Sequence, residues 1–159
     1  MKKMILAAVL LALPGIAAAQ ATNGRQYVRM AGASDQYEIQ SSRLVLASTR
    51  NPALRRFASQ MIADHTKSST DVKAAARQGR VMAGRPALDA MGARNIAQLR
   101  RARGPARDAL YIQQQKKSHR MALDLQQGYA AHGDVRPLAR TASTIVPVVQ
   151  HHIGELDRM

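Results

Sequence analysis

Beyond residue 22, apolar and small residues recur at steps of three and four, the spacing of one helix face, and no stretch alternates as a strand would. In the first segment Tyr27, Met30, Ala31, Ser34, Tyr37, Ser41, Leu44 and Val45 hold that spacing. Asn23 followed three residues later by Gln26 resembles a capping box, which predicts a helix from there to about Ser48. Asn51-Pro52 supplies an N-cap and a first-turn proline whose missing N–H is harmless there. The second helix should carry Leu54, Phe57, Ala58, Met61, Val72, Ala75 and Ala76 inward and end at Gly79. A basic connector, 80–86, leads to a weaker helical segment from Ala87 to Arg103 with Leu88, Met91, Ile96 and Leu99. Gly104-Pro105 opens the third long helix, which presents Leu110, Tyr111, Ile112, Ala122, Leu123 and Tyr129 and closes at His132-Gly133. Asp134 or Arg136 begins the last, with Pro137 in its first turn and Leu138, Ala142, Ile145, Val149 and Leu156 inside. Pro147 should kink it.

Four long amphipathic helices predict an all-α protein, a four-helix bundle. Two hairpins are joined by about 25 residues that hold a helix of their own, and such a connector can traverse the bundle. The pattern therefore admits the crossover order of ferritin-like folds, with an additional connector helix, as well as simple up-down order.

Each inner stripe, extended by threes and fours, meets an ionisable residue: Glu38, His65, His119 and His152. His151 is rotated by about 100° from its neighbour and should be more exposed. Glu38 and His65 both lie roughly 18–20 Å from the first turn at 1.5 Å per residue, whereas His119 and His152 differ by roughly 4–5 Å in height. If the connector crosses the bundle, the second and third long helices run parallel and His65 comes level with His119. A buried unpaired charge is expensive, so these groups must pair, shift their pKa or bind something. One carboxylate and three neutral imidazoles offer four ligands to a transition metal such as zinc, copper or iron. The plainer alternative is a hydrogen-bonded Glu–His network. Asp64, Tyr111, Gln115 and Glu155 stand near enough in the pattern to support such a site from behind. Met61, one turn from His65, suits copper, although methionine on a helix face is ordinarily core filler.

Composition narrows the setting. Lys2 and Lys3, the apolar run Ile5 to Leu13, the breakers Pro14-Gly15 and the small residues Ala17-Ala18-Ala19 or Ala19-Gln20-Ala21 read as a secretory signal peptide over 1–21. Residues 22–159 then form one domain, delivered to the periplasm and not integral to a membrane. The chain has no Cys, which removes disulfides, thiolate metal sites and thiol catalysis. Five aromatics, Tyr27, Tyr37, Phe57, Tyr111 and Tyr129, are too few for a nucleic-acid stacking platform, and no specific nucleic acid is expected as a partner. The net charge is +14, and between Arg77 and Arg120 eleven Lys and Arg face only Asp89 and Asp108. Such a patch, with Arg94, Arg100, Arg101, Arg103 and Arg107 at its centre, attracts polyanions: anionic envelope components or an envelope protein. The plainer alternative is a solvated surface that keeps the protein soluble.

The run Tyr27 to Ile39, then Asn51-Pro52-Ala53, Phe57-Ala58, Gln60-Met61, Asp64-His65, Asp108, Tyr111, His119 and Val146-Pro147 with His152, resembles the bacterial domain-of-unknown-function family 4142. The resemblance implies an exported, ferritin-like helical bundle, periplasmic or associated with the outer membrane, and Glu or His at positions 38, 65, 119 and 152. It implies no settled activity. Ferritin-like di-iron enzymes carry Glu-x-x-His pairs, but Ile62 and Val149 stand three residues before His65 and His152, so oxygen-activating di-iron chemistry is not expected. Nor does a nucleophilic triad or phosphate loop appear, and the reading leans away from an enzyme. Asp108 reads as a helix-start charge, and Tyr111 as a core residue with a bonded hydroxyl. Two functions remain: metal handling or envelope stress through the core site, and a non-enzymatic envelope-interaction module using the basic face.

Overall fold

The computed structural model describes residues 23–159. The expected signal peptide lies outside the described residues. Among them are five helices: α1 (Gly24–Leu46), α2 (Pro52–Gln78), α3 (Ala90–Arg101), α4 (Gly104–His132) and α5 (Arg136–Asp157). No described helix is long and apolar enough to cross a membrane.

The caps set these boundaries. The Asn23 side chain accepts from the Gln26 N–H at 2.9 Å, and Asn51 accepts from Ala53 and Leu54, so two otherwise orphaned helix starts are satisfied as expected. The weaker segment begins three residues later than expected, because Asp89 accepts from the Gly92 N–H at 2.6 Å and makes itself the cap. Gly104, at φ 52°, turns the chain from α3 into α4 in a conformation glycine adopts without a Cβ clash. At the α4–α5 turn a Cβ on Gly133 would stand 2.5 Å from the Tyr129 carbonyl oxygen, so only glycine fits. Asp134 does not open α5; it accepts from the Tyr129 hydroxyl at 2.9 Å, and α5 starts at Arg136. That helix runs on through Pro147, whose side faces solvent. The Ser143 carbonyl deprived of its partner is on an exposed residue, where water can reach it.

Bonds between helices fix the directions. Along α1 and α4 the pairs Tyr27–Gln126 (2.7 Å), Tyr37–Gln114 (3.0 Å) and Ser42–Tyr111 (2.8 Å) advance in opposite senses, so the two helices are antiparallel. The short 47–51 turn makes α2 antiparallel to α1 as well. Hence α2 and α4 are parallel, and the 79–103 connection must return along the bundle: the crossover order, with α3 packed on α1 and α4. Around the bundle the order is α1, α2, α5, α4.

Two apolar clusters fill the interior. One gathers Tyr27, Val28, Ala31, Val72, Ala75, Ala76, Tyr129, Leu138 and Ala142, with Tyr27 and Tyr129 stacked at 3.9 Å between ring centroids. The other gathers Val45, Leu54, Phe57, Ala58, Met61, Leu99, Tyr111 and Leu156. Met61 is therefore core filler. Met30, placed on the inner stripe by spacing, is 41% exposed, because the stripe of α1 lies one residue round, through Ala31 and Asp35. On α4, Leu110, Ile112, Ala122 and Leu123 are only partly buried, and its inner face is built from Gln114, Gln115, Ser118 and Gln126 instead. Their amides and hydroxyls find partners on α1, which removes the penalty that favours apolar residues there.

Candidate metal centre

Between the two apolar clusters lies a polar layer. Into it α1 sends Asp35 and Glu38, α2 sends His65, α4 sends Gln115, Ser118 and His119, and α5 sends His152, all buried. The imidazole centroids stand 5.3 Å (His119–His152), 5.7 Å (His65–His119) and 5.8 Å (His65–His152) apart. Each ring offers one nitrogen within 4.8 Å of the nitrogens offered by the other two.

The opposite nitrogen of each ring is tied to an oxygen. His65 Nδ1–H donates to Asp35 Oδ1 at 2.9 Å, and Asp35 is itself held by the Ser69 hydroxyl at 2.9 Å. His119 Nδ1–H donates at 3.0 Å to the carbonyl of Gln115, one turn back on its own helix. His152 Nε2–H donates to Asp64 Oδ2 at 2.9 Å. A carbonyl or carboxylate only accepts, so these bonds place a proton on the bonded nitrogen, and in the neutral rings His65 Nε2, His119 Nε2 and His152 Nδ1 are then lone pairs. Among the described residues, His65 Nε2 has no hydrogen-bond partner. His119 Nε2 and His152 Nδ1 face each other at 3.3 Å. Two facing lone pairs repel, and a cation between them turns that repulsion into attraction.

The height difference expected between His119 and His152 is absorbed by side-chain direction. Helical side chains lean toward their own N-terminus. On antiparallel α4 and α5, His119 thus leans away from the connecting turn and His152 leans toward it, so the rings meet. Parallel α2 and α4 bring His65 level with His119.

Electrostatics separates the three. Burial pushes His119 below its ordinary value, with the nearby His65 adding to the effect against the pull of Glu38 and the Gln115 carbonyl. Burial likewise takes His152 down to about 4, although its bond to Asp64 works the other way. For His65 burial acts downward too, but the bond to Asp35 and the charges of Glu38, Asp35 and Asp64 outweigh it and raise its pKa. Two rings are thus neutral at pH 7, and the third sits among carboxyl groups able to balance a bound cation.

Glu38 does not join the donor set. Its Oε1 accepts from Ser118 at 2.7 Å and lies 3.9 Å from His119 Nδ1, the nitrogen facing away from the cluster, while its Oε2 has no hydrogen-bond partner among the described residues. Asp64 and Gln115 stand directly behind the ligands. Tyr111 does not; its hydroxyl meets Ser42, and its ring reaches His152 only through Phe57. Glu155 faces the exposed His151 at 3.5 Å and not His152, because residue 155 follows the helical register of 151. Asp108 accepts from Thr49 at 2.7 Å and lies beyond the first turn of α4, so it joins that helix to the α1–α2 turn and does not cap its start.

Asp35, Ser69 and Ser118 escaped sequence reasoning. Asp35 was detectable as a carboxyl three residues before Glu38, on the same face, but Ser34 fits the stripe almost as well. Of the basic residues, Arg94, Arg100, Arg101 and Arg103 are exposed, and among the described residues none pairs with a carboxylate. Arg107 is committed elsewhere: it donates to the Ala102 and Leu44 carbonyls and to Ser48, pinning the α3–α4 junction to the end of α1.

Comparison with solved structures finds the same helical arrangement. CopM, in a silver-bound form, superposes with a TM-score of 0.70 at 17% identity, covering 86% of this chain and 93% of that one. A DUF305 fragment from Deinococcus radiodurans gives a TM-score of 0.71 at 17% identity, covering 86% and 96%. A putative secreted DUF305 protein from Streptomyces coelicolor gives 0.69 at 17% identity, covering 86% and 89%. At that identity the likeness shows the fold. No curated protein matches the sequence. The profile described as "Domain of unknown function (DUF4142)" matches residues 12–159, so the chain belongs to the DUF4142 family.

Proposed function

We propose that this protein is an exported, periplasmic bundle that binds one transition-metal ion through His65, His119 and His152, for metal handling or envelope stress, and that it is a binder and not an enzyme. The observation that carries the reading is the set of three inward nitrogen lone pairs, each fixed by an oxygen on the opposite side of its ring. Metal-binding histidines are held in this way, because the bond behind the ring sets both tautomer and direction. Imidazole ligands suit zinc, copper and iron, and the Ag-bound form of the structural neighbour CopM points the same way. With three protein ligands, a fourth position stays open to water. Elemental analysis of protein purified without chelator should find close to one equivalent of metal, and His119→Ala should lose it. No stoichiometric metal, together with a melting temperature unmoved by added zinc, copper or iron, overturns the reading.

A second reading rests on the four exposed arginines in and flanking α3. That face would dock on anionic envelope material independently of the metal. Co-sedimentation with envelope fractions should be strong at low salt and lost at high salt; binding indifferent to salt removes its basis.

A further inference from the structure

A cavity of about 140 Å³ is framed by residues of α1, α2, α4 and α5, and the buried imidazoles of His65 and His152 form its floor. It has room for an ion with several of its waters. Its charged lining is sharply biased. Asp35, Asp64 and Asp71 face it, against Lys67 alone, although basic side chains outnumber acidic ones 24 to 10 in the chain. The carboxylates form a gradient of exposure. At the rim, Asp71 has a side chain 40% exposed and pairs with the 75% exposed Lys67 at 2.5 Å. Halfway down, Asp64 is 34% exposed and already bonded to His152. Innermost, Asp35 is 6% exposed and bonded to His65. The unpartnered Nε2 belongs to His65, a residue 6% exposed on the cavity floor. Val148, 40% exposed, forms part of the opposite wall at the mouth.

We propose that this cavity is the port through which a hydrated metal cation enters and leaves the centre, with Asp71 as the rim carboxylate that attracts it, Lys67 as the charge that restrains it, and Asp64 as the carboxylate that carries the negative lining inward as far as the back of the His152 ring. The inference rests on the metal-binding reading. The physical need for a port follows from charge: a protein with so large a basic excess repels cations at long range, and only a local run of carboxylates provides a favourable path inward. The alternative is the adjoining groove of about 300 Å³ between α1, α3 and α4, which shares Ser34, Ala122 and Leu125 with the cavity and is lined by Met30, Met121 and Ser118, the residue bonded to Glu38.

The test follows zinc uptake by stopped-flow against a chromophoric chelator, and release into excess chelator, in the full mature protein. Val148→Trp narrows the mouth without touching a ligand. It should slow uptake and release alike, each by about tenfold, and leave the equilibrium affinity within about twofold, since a constricted path changes both rates together. Asp71→Asn should slow uptake about threefold and Lys67→Met should speed it about threefold at low ionic strength, and both differences should fade at high salt. Met121→Trp, in the other groove, should change neither rate. Unchanged kinetics in Val148→Trp, or a slowing in Met121→Trp instead, overturns the port while leaving the metal site intact. Failure of the unaltered protein to take up zinc, copper or iron overturns the metal-binding reading, and the port falls with it.

Discussion

At the scale of the residue, the proposed centre would depend on oxygens that lie behind the rings and would not touch the ion. Asp35 fixes the His65 ring and supplies negative charge behind it. Asp35→Asn keeps an acceptor but removes the charge, so metal affinity should fall roughly 10–100-fold with stoichiometry unchanged, as read by calorimetric titration. The protonation states predict a pH dependence as well. His119 and His152 are depressed in the folded protein, so the unfolded chain binds protons more readily between their ordinary value of 6.5 and, for His152, about 4. Stability contributed by these two groups is present above that window and lost as pH falls through it. His65 is raised, so its contribution has the opposite sign: present below 6.5 and lost as pH rises through its folded value. With two groups against one, the metal-free protein should weaken on acidification from about 6.5 toward 4 in urea unfolding, and His152→Phe should flatten that limb. The histidines were legible in the sequence because each interrupts an apolar stripe. Asp35 was not, because neighbouring positions on a helix differ by about 100°, and a stripe drawn through Ser34 shifts the face by that amount.

At the scale of the element, legibility follows local chemistry. The starts of α1 and α2 could be read because Asn23 and Asn51 act within three residues of themselves, and tertiary contacts are not needed to place them. Asn51→Ala should accordingly destabilise the protein by about 1 kcal/mol, measured by urea unfolding, with metal stoichiometry unaffected. The α4 interior was illegible for the converse reason. Gln114, Gln115, Ser118 and Gln126 look like an exposed face until the hydroxyls and carboxyl of Tyr37, Ser41, Glu38 and Tyr27 arrive from α1, 74 to 99 residues away in sequence. Apolar periodicity carries no information about such pairings. The connector lay between these cases. Its helix was visible, but the crossover was only one of two permitted orders until the Tyr27–Gln126 and Ser42–Tyr111 bonds set the direction of α4.

At the scale of the whole molecule, the polar layer divides the core into two apolar clusters, one with Tyr27 and Tyr129 and one with Phe57 and Tyr111. Among the described residues, the layer between them holds the facing His119 and His152 nitrogens and unpartnered atoms on Glu38 and His65, an arrangement that costs stability in the middle of the bundle. An ion bound as proposed would join α2, α4 and α5 at that level and stabilise only the folded state. At a free concentration one hundred times its Kd it would add about 2.7 kcal/mol, which for a chain of this length corresponds to roughly 5–11 °C in Tm. His119→Leu removes one ligand and also one of the two facing lone pairs, and it fills the space with an apolar side chain of similar bulk. Its metal-free Tm should therefore equal or exceed that of the unaltered protein, since replacing buried polar groups by packed apolar ones is often neutral or stabilising. Its Tm should then no longer respond to zinc or copper, and chelator should change nothing. A metal-free His119→Leu protein much less stable than the original would show that the layer is a structural hydrogen-bond network. The opposite result, greater stability with no metal response, would mean that the protein carries an internal weakness in its core that only a bound ion removes.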